Sequence, residues 1–128
     1  MKAKNIATTQ DQSQRLLRCG VSADTADMHF DMDEERYKGW RFTGTLLKLR
    51  KYPAWSLSAL LTKVLPSNIK CGAATCLLEI ISSDWQSEEQ TWEVLYGSFY
   101  DMQAPDPIEA CVLMAEKLTA NGYKLNGQ

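Results

Sequence analysis

The sequence predicts an α+β fold: an antiparallel β-sheet of two hairpins covered by helices, in the order α-ββ-α-ββ-α, arranged as an α/β/α sandwich. Three observations carry this expectation. Residues 106–122 have the composition of a capped amphipathic helix. Residues 28–45 and 91–100 alternate polar and apolar side chains with the period of a strand, and 75–82 are rich in Leu and Ile. Between them lies a second apolar series at helical spacing.

The last helix is the clearest element. Asp106 is placed to accept a hydrogen bond from an orphan amide of the first turn, and Pro107 suits the first helical position. Glu109, three residues past the cap, could reach back to the Asp106 amide and close a capping box. Gly122 supplies a left-handed stop. Ile108, Cys111, Val112, Ala115 and Leu118 form one apolar stripe, with Glu109, Glu116 and Lys117 on the opposite arc.

From the start of the chain, residues 1–8 are polar and patternless and predict a flexible N-terminus. Residues 9–126 make a single domain. Thr9 and Gln12 are spaced for a capping box, opening a short helix over 10–19 that presents Leu16 and Leu17 and stops at Gly20. Ser22 begins a further turn or tight loop. Met28, Phe30 and Met32 alternate with His29, Asp31 and Asp33, giving a strand. After an acidic turn at 33–36, Trp40, Phe42 and Gly44 give its hairpin partner. Ser56 caps a second helix with Leu57, Leu60, Leu61, Val64 and Leu65 on one face; Trp55 and Leu60 form a hydrophobic staple, and Pro66 ends the element. Residues 67–72 read as a connector, 75–82 and 91–100 as strands, and 102–105 as the lead into the last helix. Residues 123–126 are an edge segment or a tail. Trp92, Val94 and Tyr96 are the expected floor for the last helix, while Leu77, Ile81 and Leu95 leave the other face partly apolar.

Composition excludes some classes of function. With 14 basic and 16 acidic residues the net charge is −2, which gives no general attraction to nucleic acid or anionic membranes. No apolar run reaches the length needed to span a bilayer, so no membrane partner is expected. The first residues lack the apolar middle of a secretion signal, and a cytoplasmic location follows as the expectation. The four cysteines are then thiols. Cys71 and Cys76 make one loose pair with a single histidine in the whole chain, which is poor zinc spacing; no metal and no cofactor are expected.

No catalytic constellation emerges. His29 is the only histidine, and no serine or cysteine stands in a nucleophile motif; it reads as a solvated strand residue. Asp31, Asp33, Glu34 and Glu35 lack the register of a calcium loop and read as a charged hairpin turn. No glycine-rich phosphate loop occurs. Two apolar residues are expected at the surface as contact candidates: Trp85, at a hairpin tip, and Leu113, in the polar arc of the last helix. Lys48, Arg50 and Lys51, near Tyr52 and Trp55, form a short basic-aromatic patch that could grip phosphate while rings stack on bases. The patch is neither long nor repeated, so nucleic acid is the disfavoured alternative.

Three segments carry a resemblance: Pro-Ala-Trp-Ser-Leu-Ser-Ala-Leu-Leu (53–61), Trp-Glu-Val-Leu-Tyr-Gly (92–97) and Asp-Pro-Ile-Glu-Ala-Cys-Val-Leu-Met (106–114). Together they resemble small phage and prophage proteins of gut Bacteroidales. The last two are similar to the phage ABA sandwich domain, in which a Trp-x-Val strand precedes an acidic-capped helix reading Glu-Ala-Cys. The resemblance spans residues 15–122 and implies a helix–sheet–helix sandwich of mobile-element origin. It implies no reaction.

The expected function is thus that of a small non-enzymatic phage- or prophage-type protein, a protein-interaction module with an unidentified protein partner. The alternative is a nucleic-acid-binding accessory protein using 48–51. A monomer with helices on both sheet faces is favoured; a homodimer through a bare far face is the other possibility.

Overall fold

In the computed structural model, residues 6–31, 40–42, 51–83 and 90–128 are described, and they form an α+β fold of helices and two antiparallel sheets. Helix α1 (Gln10–Arg18) begins as its sequence requires. The Thr9 hydroxyl accepts from the Gln12 amide at 3.2 Å, and the Gln12 side chain accepts from the Thr9 amide at 2.9 Å. Gly20, at φ 88°, turns the chain out of the helix, and Ser22 caps a 3-10 turn at Ala23–Thr25.

Of the residues expected as a flexible N-terminus, 1–8, Ala7 and Thr8 are fully buried, and 1–5 lie outside the described residues. The Thr8 amide donates to the Trp55 carbonyl at 2.9 Å, and its hydroxyl accepts from the Trp55 amide at 2.9 Å. Pairing of this kind depends on backbone polarity, which leaves no hydrophobic period in a sequence.

The smaller sheet contains β1 (Met28–Asp31), β2 (Trp40–Phe42) and β3 (Lys51–Ala54), in the order β2-β1-β3. The expected first hairpin is present as β1 and β2. The third strand lies where only a basic stretch was legible. Pro53 is tolerated there because β3 is an edge strand. The acidic turn at 33–36 lies outside the described residues.

Ser56 caps α2 (Leu57–Ala59), accepting from the Ala59 amide at 3.2 Å. The helix then widens into a π segment, Leu60–Val64, closed by the Leu65 amide on the Leu60 carbonyl at 2.8 Å. The expected 57–65 element therefore exists with a changed pitch. Leu60, Val64 and Leu65 are buried, whereas Leu57 and Leu61 are half-buried. Trp55 and Leu60, the expected staple, are both fully buried.

The larger sheet is a meander of β4 (Asn68–Cys71), β5 (Ala74–Ser83), β6 (Thr91–Tyr96) and β7 (Tyr100–Ala104). Two of its strands fall in stretches expected as a connector and as a lead-in. Gly72, at φ 63°, makes the two-residue turn between β4 and β5. Gly97, at φ 58°, ends β6 four residues before the expected end of that strand and starts the turn into β7. The two expected hairpins consequently sit in separate sheets, not in one. Both edges of β1 are taken by β2 and β3, and both edges of β5 by β4 and β6, so neither central strand can join the other sheet.

Helix α3 (Pro107–Ala120) organises the interior. Asp106 accepts from the Ile108 amide at 2.8 Å, as a cap should. All five residues of the expected stripe are buried, and Ala110 and Met114 join them. The helix packs on β6 and β7, whose inward residues Val94, Tyr96 and Ala104 are buried, and also against α1, α2 and the π segment. Trp92, expected in that floor, is only half-buried at the start of β6. α1 packs on α3 and on β3, so the helices link the two sheets. Helices cover one face of the larger sheet. Leu77 and Ile81, on its far face, are 63% and 43% exposed.

The C-terminal residues are a tail rather than a strand, and they are tied down. The Asn126 amide donates to the Val64 carbonyl, the Ser22 amide donates to the Gly127 carbonyl, both at 2.9 Å, and Leu125 is buried.

Candidate interaction face

The larger sheet has two chemically different faces, fixed by the two-residue period of its strands. Cys76, Leu78 and Ile80 of β5 point inward with Val94 and Tyr96 of β6. The intervening residues form the far face. Register sets them in rows: Leu77 beside Asn68, then Glu79 beside Leu95 beside Asp101, then Ile81 beside Glu93 beside Gln103. Leu95 and Glu93 are half-buried; the others are exposed. Phe99, 55% exposed, lies in the turn between β6 and β7, at the Leu77 end of the sheet. An apolar–acidic chequer of this kind is unusual on a face with no cover.

The described residues of the face are mainly acidic, with Lys70 on β4 their one basic side chain. The Glu93 and Asp101 carboxyls are diagonal neighbours, and their contact raises the Glu93 pKa above the usual carboxylate range, with desolvation adding to it. Gln103 Nε2 donates to Glu93 at 3.3 Å, which opposes the shift. Among the described residues the ion pairs all belong to Arg15, which is elsewhere.

Other polar groups serve the fold. Arg15 donates to both oxygens of Glu109 at 3.0 Å and to Glu116 at 2.6 and 3.2 Å, while Gln12 donates to Glu109 at 2.8 Å. The expected capping box of Glu109 is therefore absent, because α1 takes its carboxylate. The supposed solvent arc of α3 is instead a polar seam between two helices. Asp27 accepts from the Ser56 amide and hydroxyl at 2.9 and 2.5 Å, which anchors the start of α2. A shallow cleft of about 360 Å3 opens beside it, lined by Asp24, Thr25, Ser58, Thr62 and Lys63. Its carboxylates, hydroxyls and single amine share no geometry that selects one ligand chemistry.

His29 is 4% exposed, so it is not the solvated strand residue expected from the alternation; Met28, its neighbour on the opposite face of β1, is buried in a cluster with Ala7 and Ala54. Cys71 and Cys76 lie diagonally across β4 and β5 and are buried. The Tyr123 hydroxyl donates to the Cys71 sulfur at 3.7 Å and to the Lys70 carbonyl at 3.1 Å. Desolvation raises the Cys76 pKa, and it pushes Cys111 up to about 12, which suppresses the reactive thiolate. No group of three His, Cys, Asp or Glu side chains among the described residues could hold a metal ion.

Of the contact candidates read from sequence, Trp85 lies outside the described residues. Leu113 is half-buried against the core rather than free, because α3 is contacted by α1, α2 and the sheet. Of the basic patch, Lys48 and Arg50 lie outside the described residues, and the backbone of Lys51 pairs with Asp31 at the start of β3. Of the two rings expected to stack on bases, Tyr52 is half-buried, and Trp55 is fully buried and donates from Nε1 to the Thr25 hydroxyl at 2.8 Å. The apolar part of the far face, Leu77, Ile81 and Leu95, was legible in the sequence of β5 and β6. Phe99 and the Glu93–Asp101 pair were not, because they depend on the turn at Gly97.

Among the described residues, no helix is long and apolar enough to cross a membrane. In comparisons with known proteins, no family profile, no curated protein and no solved structure matches the chain.

Proposed function

We propose that the chain is a small non-enzymatic protein-interaction module of phage or prophage type, and that it works through the far face of its larger sheet. One observation carries the interaction: Leu77 and Ile81 stand 63% and 43% exposed on a regular sheet surface that none of the described helices covers. Apolar residues held on a sheet have their backbone already ordered when they meet a partner, which lowers the cost of binding. The mobile-element origin rests on the three resembling segments alone.

Selection of a random peptide display library tests the interaction. The wild-type protein is the bait, and a Leu77→Glu/Ile81→Glu variant is the counter-bait. Both side chains are exposed, so the variant should keep its melting temperature. Clones that lose about tenfold or more in affinity for the variant are expected. Clones that bind both proteins equally, or none at all, would refute the assignment of this face.

A further inference from the structure

We propose that the partner of this face is a basic amphipathic segment of a second protein, whose apolar side chains cover Leu77, Ile81 and Leu95 and whose Lys or Arg side chains meet Glu79, Glu93 and Asp101. The proposal rests on reading the face as an interaction surface and adds the chemistry of the occupant.

The register supplies the argument. Leu95 lies between Glu79 and Asp101 across the strands, and Ile81 lies beside Glu93. Any partner that covers the apolar side chains must therefore also approach the carboxylates. An apolar partner would take them out of water without a counter-charge, which is costly. A basic one would place charge-assisted hydrogen bonds on them. Among the described residues no cation forms an ion pair with these carboxylates, since the ion pairs there are all those of Arg15.

A second copy of the chain is a poor occupant for the same reason. A two-fold contact places the same patch on both sides. Three carboxylates would face three carboxylates, with Lys70 on β4, among the described residues, the one cation to offset them on each copy. Like charges brought together across an interface disfavour association. The crowding is already present within one copy, where Glu93 and Asp101 hold each other's negative charge at close range. A cation from a partner would relieve it. A nucleic acid, with its phosphates, would not.

Two labelled amphipathic peptides of about 18 residues provide the test, one of Leu and Lys, the other with the same Leu positions and Glu for Lys. Fluorescence anisotropy reads their binding to the full chain. The basic peptide should bind, and its affinity should fall about tenfold or more between low and high salt. A similar loss is expected for Glu93→Gln/Asp101→Asn and for Leu77→Ser/Ile81→Ser, with thermal melts confirming that each variant folds. The acidic peptide should not bind. Equal binding of both peptides, lost in Leu77→Ser/Ile81→Ser, would leave the interaction face standing and overturn the basic partner. Basic-peptide binding that ignores both double variants would overturn both readings. No binding of either peptide would overturn the proposal; sedimentation at a mass near twice 14.5 kDa would then give the face to a second copy.

Discussion

Replacing Arg15 with Met keeps the apolar stem of the side chain and removes its charge. In the wild type the guanidinium spans two turns of α3, with both Glu109 oxygens at 3.0 Å and the Glu116 oxygens at 2.6 and 3.2 Å. The side chains of Arg15, Glu109 and Glu116 are 18%, 28% and 38% exposed. An exposed pair contributes about 0.5 kcal/mol, whereas breaking a buried one costs about 3–5 kcal/mol. This half-buried network falls between, and Arg15→Met should destabilise by about 2 kcal/mol. In a chain of this length that lowers the melting temperature by about 6–8 °C. A double-mutant cycle with Glu109→Gln, read by urea unfolding, should give a coupling of about 1 kcal/mol. The cycle with Glu116→Gln should give less, because Glu116 is the more exposed partner. Melts of Arg15→Met and wild type that agree within about a degree would refute the assignment of this seam as the lock between α1 and α3.

Four further outcomes are expected. Tyr96→Phe removes a buried hydroxyl that donates to the Pro66 carbonyl at 2.7 Å, and should cost about 1 kcal/mol in urea unfolding. Gly97→Ala forces a Cβ onto a φ of 58° and to 2.8 Å from the Cys76 sulfur; it should cost about 2 kcal/mol or more, with partial recovery when Cys76→Ala is added. The raised Glu93 pKa means the folded state holds this proton more tightly than the unfolded chain. Stability is therefore lost above the folded pKa and regained as pH falls through it, so Glu93→Gln should raise the melting temperature near pH 7 and lose that advantage toward about pH 4 in thermal scans. In the native protein, iodoacetamide near pH 8 should modify the half-exposed Cys19 and spare Cys71, Cys76 and Cys111, as read by peptide mass spectrometry.

Local signals were the legible part of this fold. The caps at Thr9, Ser56 and Asp106 depend on side chains within three residues of the amide they serve, and each formed. The stripe of α3 and the alternation of β6 were legible for the same reason: one element's period is written in one stretch of chain. What failed was set by partners distant in sequence. β3 and β4 are strands because β1 and β5 offer them edges, and no period within four residues announces that. The π segment keeps the apolar content of an α-helix and changes only its hydrogen-bond step. At the candidate face, parity along β5 and β6 identified Leu77, Ile81 and Leu95. The acidic diagonal needed β7, which was hidden behind Gly97.

The misreading of Glu109 and Glu116 and the bare sheet face have one origin. α1 carries Leu16, fully buried, and Leu17, half-buried, which is little apolar surface with which to cover a four-stranded sheet. Its other inward-facing groups are polar: Gln12 and Arg15 reach Glu109, and Arg15 reaches Glu116. A helix of that composition is satisfied against carboxylates, and α3 presents Glu109 and Glu116 to the Arg15 guanidinium. The acidic arc of α3 therefore captures α1, holding it between α3 and β3. Once it is held there, α1 is committed on the covered side of the larger sheet. Exposure of Leu77 and Ile81 is the structural consequence of that capture.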